Sequence, residues 1–353
     1  MAAEPLLATR AQRAFILTIT IQAIAVLVMV AIIFRKVEEK VAFVGDYKTL
    51  PCYLALFALA EIFELLMAFD ALRLRNVIQL VGILLFHMAL IVFAAIQIHE
   101  TRSALLNGSV DCTTDFNLIN CDGPGTLWQH VQSFLIVVPC LIAGAWFVMM
   151  FWIKELYAEF GWAIFHVVGA NPKMKTMYQW YQIMLCLLKF DFFFFVGVTM
   201  QLLIVVLARN TAEFGVTVAA IPVVLVLLAL CGVAVKREIK WLMTISLVMM
   251  LSAQSYFLYK LVRIYEPSSR NVYATTRASL TIFTIVAFIL LFGTFAVGLR
   301  CFADFDRGLL ASKVNGQSYA PVVTKLGVFS GNASEQQGSY YGGAPIAPRI
   351  SIE

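Results

Sequence analysis

Five residues able to carry a charge lie in segments of this chain that are otherwise apolar. Lys189 and Asp191 fall within the run LLKFDFFFFVG at 187–197, Glu61 and Glu64 lie in LAEIFELLMAFDAL, and His87 lies in the next apolar segment. A central Lys or Asp costs a membrane-spanning helix about 2.5–3.5 kcal/mol, and each phenylalanine offsets about 0.3–0.6 kcal/mol. Such a segment can insert, but its charges need a partner, access to water or a functional role.

The spacing of these residues predicts that they meet across helices. Glu61 and Glu64 share one helix face because they are three residues apart, whereas Lys189 and Asp191 point to different faces. By depth, Glu64 is level with Lys189 and Glu61 is level with His87. We therefore expect one buried polar cluster of all five residues, shared among three helices, with Glu64 and Lys189 as an ion pair that their depths allow.

Two interpretations of this cluster remain open on the sequence alone. Intramembrane acids and histidines mark proton or ion paths in many membrane proteins, and paired charges also fix how helices pack. Enzymatic signatures are poor: four histidines occur, without an HExxH motif, a CxxC motif, a nucleotide-binding loop or a nucleophile elbow. We expect no catalytic residue, no metal site, no cofactor and no enzymatic activity.

The composition identifies the environment that must position these residues. Hydrophobic residues make up 61% of the chain and charged residues 13%, and the mean hydropathy is +0.86. A soluble domain contains about 45–50% apolar residues, so the lipid bilayer is the main partner of this chain. The net charge of +5 is spread over loops and tail, which gives no indication of nucleic-acid binding.

The apolar segments predict an all-α, polytopic transmembrane helix bundle with about eight spans. Each segment is long enough to cross a bilayer, which takes about 20 residues. The predicted spans are Ala14–Phe34, Pro51–Ala71, Val77–Ile98, Val131–Ile153, Ile183–Leu207, Phe214–Val235, Trp241–Val262 and Ser279–Arg300. Together they define a transmembrane domain at 14–302, between a cytosolic segment at 1–13 and a flexible cytosolic tail at 303–353.

The loop at 99–130 is predicted to face the lumen. It contains an Asn-Gly-Ser sequon at Asn107 and two cysteines, Cys112 and Cys121. Glycosylation and stable disulfides both belong to the lumenal or extracellular side, and the distribution of Lys and Arg weakly favours the same topology. We expect glycosylation of Asn107 and a Cys112–Cys121 disulfide, with Cys52 as an alternative partner.

Three further features concern the cytosolic side. The segment 154–181 is rich in aromatic residues and is predicted to form an interfacial helix and a turn before the fifth span. Cys301, just after the last span, is a lipidation candidate. In the tail, Tyr319 begins YAPV, a tyrosine-based pattern of the kind that sorting adaptors bind.

Several stretches together resemble an uncharacterised fungal family of multi-pass Golgi apparatus membrane proteins. The most distinctive is the block YQ…LLKFDFFFF, in which Tyr181, Gln182, Lys189 and Asp191 match the family pattern. The matching stretches are VVGANPKMKTMYQWYQIMLCLLKFDFFFFVGVTMQLLIVVL at 167–207, TRASLTIFTIVAFILLFGTFAVGLRCFADFDRGL at 276–309 and LALFALAEIFELLMAFDALRLRNVIQLVG at 54–82. The resemblance covers most of 14–310.

The resemblance implies a Golgi address, with another endomembrane or the plasma membrane as alternatives, and it transfers no catalytic residue. Within that frame we expect a transporter of a small solute, or a proton-coupled one, acting through the buried charged cluster. Transporters often contain internal repeats, and no repeat is evident in the sequence. A trafficking or scaffold protein that binds a sorting adaptor is the alternative, and a heptahelical receptor-like protein is a further one.

Overall fold

A computed structural model describes residues 7–41, 49–106, 121, 123–168, 172–206, 212–266 and 277–310. This part of the chain contains eight long helices, all of them long and apolar enough to cross a membrane, which confirms the predicted fold class. A heptahelical arrangement is therefore not supported. The helices are α1 (Arg10–Glu38), α2 (Thr49–Leu74), α3 (Val77–Leu106), α4 (Leu127–Val168), α5 (Pro172–Gln201), α6 (Ala212–Arg237), α7 (Lys240–Tyr265) and α8 (Arg277–Ala303).

The eight helices are arranged as two rings of four. In the first ring α1 packs against α2, α2 against α3, α3 against α4, and α4 returns to α1. In the second ring α5 to α8 repeat this order, with α8 returning to α5. The rings meet mainly where α5 packs against α2 and α3. The structure therefore contains a repeat of architecture that the sequence does not reveal.

Matching tight turns support this repeat. The turn between α2 and α3 holds Arg75 at φ 49°, and the turn between α6 and α7 holds Glu238 at φ 56°. The residue that follows is Asn76 in the first turn and Ile239 in the second. Each donates its backbone N–H to the carbonyl oxygen five residues earlier, at 3.0 Å. Left-handed residues with this bond are typical of helix C-termini, so the second and third helices of both rings are joined in the same way.

Aromatic side chains fill the contact between the rings and explain the FDFFFF run. Phe193 of α5 lies between Phe63 of α2 and Phe86 of α3, with both ring centroids 4.9 Å from its own. Phe190 also packs against Phe63 and Phe86, with ring centroids 5.8 and 5.7 Å away. Such pairs stabilise by about 0.5–1.5 kcal/mol beyond the area they bury. The phenylalanines on both sides of Asp191 thus connect the rings.

The region 154–181 differs from its predicted form. Residues 154–168 continue α4 as one helix, and α5 begins at Pro172 rather than near Ile183. Leu156 and Phe160 are fully buried, and the carboxylate of Glu159 accepts hydrogen bonds from Thr9 and Gln12. Packing against the start of α1 therefore holds these residues in α4, so they do not form a separate interfacial helix.

The first residues of the predicted tail pack against the second ring. Phe305 and Leu309 are buried, and Asp306 forms an ion pair with Lys240 at the start of α7. The side chains of Phe305 and Leu309 both line one small pocket against α5, α6 and α8. The polar composition of the tail as a whole did not predict this packing. Residues 311–353, including Tyr319, lie outside the described part of the chain.

Candidate functional site

The five predicted site residues are divided among three polar groups instead of forming one cluster. Glu61, Glu64 and His87 do come together, whereas Lys189 and Asp191 each have other partners. The first-ring cluster is Gln22, Glu61, Glu64 and His87; the inter-ring group is Asp70, Gln79 and Lys189; the second-ring site is Asp191 and Thr294.

His87 is the centre of the first-ring cluster and is fully buried. Its Nε2 lies 2.9 Å from the carbonyl oxygen of Ile142 in α4, and its Nδ1 lies 2.6 Å from Glu64 Oε1. A carbonyl oxygen can only accept, so Nε2 carries a hydrogen. A proton is therefore shared between Nδ1 and Glu64, and the pair is neutral overall whichever atom holds it.

Glu61 and Gln22 complete the first-ring cluster. The amide Nε2 of Gln22 donates to both carboxylate oxygens of Glu61 at 2.8 Å, and both side chains are buried. An ionised Glu61 leaves the four side chains with one uncompensated negative charge in an apolar medium, which is costly. The cluster therefore joins all four helices of the first ring and has capacity for one more proton.

Lys189 is part of the inter-ring group and does not form the predicted ion pair with Glu64. Its ammonium forms an ion pair with Asp70 and donates to Gln79 Oε1 at 2.8 Å. Gln79 Nε2 in turn donates to Asp70 Oδ2 at 3.1 Å. Asp70 lies one turn from the end of α2, on the cytosolic side of the predicted topology. Lys189 lies inside α5 and reaches Asp70 because its long side chain extends towards that interface.

A charge swap distinguishes the two possible partners of Lys189. Lys189→Asp and Asp70→Lys are each expected to lower thermal stability, and the double variant to restore it. The side chains are 31% and 36% exposed, so each single loss should be only about 1 kcal/mol. The control swap, Glu64→Lys with Lys189→Glu, should give no recovery. Thermal unfolding of the detergent-solubilised protein measures these four variants against the wild type, and recovery in the control swap instead would contradict this pairing.

Asp191 is 6% exposed and has one carboxylate oxygen without a partner. Thr294 Oγ1 of α8 lies 2.5 Å from Asp191 Oδ2 and 3.0 Å from the carbonyl oxygen of Leu290. Oδ1 has no hydrogen-bond partner. A buried acceptor without a donor costs about 1–3 kcal/mol, which makes this oxygen a candidate ligand-binding atom.

Asp191 lies on the wall of a cavity of about 290 Å³ inside the second ring. All four helices of that ring line the cavity, and its surface is mostly apolar. Val223 of α6 and Ser252 of α7 are lining residues that are exposed at the surface. The cavity therefore opens between α6 and α7, towards the lipid.

The other predicted modification sites fall partly outside the described residues. Asn107 and Cys112 both lie there, so glycosylation of Asn107 and the Cys112–Cys121 pair stay predictions. Cys121 is disulfide-bonded, whereas Cys52, the alternative partner, is a free and buried thiol. Cys301 is not in a disulfide and is only 5% exposed, so its acylation requires the end of α8 to move.

Sequence reasoning missed the partners that complete these groups. Gln79 and Thr294 are neutral, and neutral polar residues are common between membrane helices, so their types gave no signal. Gln22 was expected to make a polar contact between helices, but Glu61 was not predicted as its partner. Asp70 did give a signal in the sequence. It lies near the cytosolic end of the second predicted span, and a lysine in a neighbouring helix would extend its side chain towards that end. Among the described residues, no group of three or more His, Cys, Asp or Glu side chains is placed to hold a metal ion.

One curated protein is similar to this chain over most of its length. It is a UPF0658 Golgi apparatus membrane protein of Schizosaccharomyces pombe, 28% identical over 273 residues, which cover 74% of this chain and 77% of the relative. The resemblance to an uncharacterised fungal Golgi membrane protein family is thereby confirmed. No family model matches the chain. No solved structure matches it either.

Proposed function

We propose that this chain, a multi-pass Golgi membrane protein like the fission-yeast protein it resembles, carries a small organic amine across the membrane in exchange for a proton. It acts as a carrier and not as an enzyme. The observation on which this rests is that Asp191, a residue that lines the second-ring cavity, has a carboxylate oxygen without a hydrogen-bond partner. In the first-ring cluster Glu64 Oε2 also lacks a partner, but Glu64 lines neither this cavity nor the one beside Asp70. Asp70 of the inter-ring group does line a cavity, of about 560 Å³, but its carboxylate is already paired with Lys189.

The substrate class follows from the charge of the site. A carboxylate in an apolar cavity is stabilised by a cation or neutralised by a proton. The cavity offers apolar walls, the aromatic side chains of Phe195 and Phe257, and one acid. An ammonium group on a small apolar body satisfies all three features, since aromatic faces also attract cations.

Thr294 allows Asp191 to hold either a proton or a cation. A threonine hydroxyl has one hydrogen and can both donate and accept. When Asp191 is protonated, it donates to Thr294 Oγ1, which donates to the carbonyl oxygen of Leu290. When Asp191 is ionised, Thr294 donates to the carboxylate instead. The distances of 2.5 and 3.0 Å permit both arrangements, so the amine can bind as the proton leaves.

Position and architecture support a carrier. Counted from Gln182, the last polar residue before the apolar run of α5, Asp191 lies nine residues or about 13 Å along the helix. That depth is near the middle of a hydrocarbon core of about 30 Å, where transporters bind their substrates. Two rings with the same neighbour order resemble the parallel repeats of transporters.

The test is binding and exchange of phenethylamine by the purified full chain in liposomes. The wild type should bind the amine and release one proton for each molecule bound, as detected by a pH dye in weak buffer. Asp191→Asn should weaken binding at least tenfold, because it removes a charge-assisted contact of about 1.5–3 kcal/mol. Uptake driven by a proton gradient should fall in parallel.

Two controls make the result specific. Asp70→Asn removes an acid outside the cavity and should leave amine binding unchanged. Phenylethanol, which has the same ring without the charge, should not compete. Equal affinity of Asp191→Asn and wild type for phenethylamine would overturn the assignment of this site.

A further inference from the structure

A second cavity, of about 680 Å³, lies in a groove between the two rings. Its walls come from α3, the cytosolic extension of α4, α5 and α8. Val81 and Leu85 of α3 form part of its lining and are 46% and 62% exposed. The groove therefore opens sideways into the membrane, and it shares no lining residue with the second-ring cavity around Asp191.

One face of α5 gives this groove a polar end and an apolar end. Lys175, Gln179 and Gln182 line the first part, and Cys186, Phe190 and Phe194 line the rest. These residues recur every three or four positions, so they form a single stripe along the helix. The ligand that fits this pattern has a polar headgroup and an apolar tail.

The length of the apolar part matches a lipid chain. Gln182 and Phe194 are twelve residues apart, or about 18 Å along the helix. One leaflet of a hydrocarbon core of about 30 Å is about 15 Å thick. An acyl chain that starts at Gln182 therefore ends near Phe194 in the middle of the bilayer. A free phosphate compound would leave this part of the groove empty.

The polar end specifies the headgroup. Lys175 is exposed and supplies a positive charge at the membrane surface, where a lysine attracts anionic lipid. Gln182 is only 4% exposed, and its Oε1 accepts no hydrogen bond. A headgroup with a phosphate for Lys175 and a hydroxyl donor for Gln182 satisfies both residues.

We propose that the inter-ring groove binds an anionic phospholipid with a hydroxylated headgroup, of which phosphatidylinositol is an example, in the cytosolic leaflet. The lipid fills the space between α3 and α5 and so fixes the position of one ring against the other. This site is independent of amine transport, because it uses different residues and a different cavity.

The test is native mass spectrometry of the full chain with added phosphatidylinositol or phosphatidylcholine, combined with thermal unfolding. Phosphatidylinositol should remain bound and raise the unfolding temperature, and phosphatidylcholine should not. Lys175→Gln and Gln182→Leu should each weaken binding about fivefold, which is the effect of about 1 kcal/mol per contact. Lys154→Gln, an exposed lysine outside the groove, is the matched control.

Each contrary outcome has a distinct meaning. Equal retention of both lipids, or unchanged binding in the two groove variants, would show annular lipid only and overturn the site. Full stabilisation by soluble glycerophosphoinositol would show a phosphate site without a lipid chain, which also overturns it. Ala89→Trp fills the apolar end and should reduce phosphatidylinositol binding while leaving phenethylamine binding intact.

Discussion

Replacing His87 with leucine is expected to lower the free energy of unfolding by about 3–5 kcal/mol. The change leaves Glu64 buried without its partner, and breaking a buried, hydrogen-bonded pair from one side has a cost of this size. It also removes the hydrogen bond from α3 to the carbonyl oxygen of Ile142 in α4. Unfolding in mixed micelles with increasing sodium dodecyl sulfate gives the measurement.

The double variant Glu64→Leu with His87→Leu separates pairing from packing. It removes both polar groups, so it should recover most of the stability that His87→Leu loses. His99→Leu, an exposed histidine later in the same helix, should change stability by less than about 0.5 kcal/mol. A double variant as unstable as His87→Leu would show that the imidazole acts through its shape and not through Glu64.

Replacing Gly197 with leucine is expected to destabilise the second ring by about 3 kcal/mol. A Cβ atom at this position would lie 2.8 Å from Phe283 Cε1, where α5 crosses α8. Phe283 is itself buried and packs against Phe93 and Phe194, so it has little room to move. Overpacking in such sites typically costs about 1–3 kcal/mol, and leucine adds three more carbons beyond the Cβ.

Gly293 of α8 is the matched control for this substitution. No atom lies within 4 Å of a Cβ built there, so Gly293→Leu should be neutral within about 0.5 kcal/mol. Gly197→Ala combined with Phe283→Leu should be more stable than Gly197→Ala alone. Both glycine variants are compared by the same detergent titration, and equal stability of the two leucine variants would contradict a close approach of α5 and α8.

The sequence predicted the helices well because each span is a long apolar run between polar turns. It also predicted that the acids of α2 meet His87, since Glu61 is level with His87 and the short RLR connection makes α2 and α3 neighbours. It failed for Lys189 and Asp191 because choosing their partners requires the rotation and order of distant helices. Helices that are apolar on every side carry no such information.

The repeat of two rings was hidden for a related reason. Many apolar sequences pack equally well in a bilayer, so a shared helix order leaves little trace in residue identity. What repeats is geometry, seen in the turns at Arg75 and Glu238. The continuous α4 was missed because residues 154–168 are less apolar than a span, although packing against α1 holds them in the helix.

The closure of each ring by four consecutive helices has a consequence for biosynthesis. All neighbours of α1 within its ring are present once α4 has been translated, before any residue of the second ring has left the ribosome. The first half can therefore bury its charged residues while the second half is still being made. We therefore expect insertion in two stages, in which Lys189 enters the membrane when Asp70 is already there.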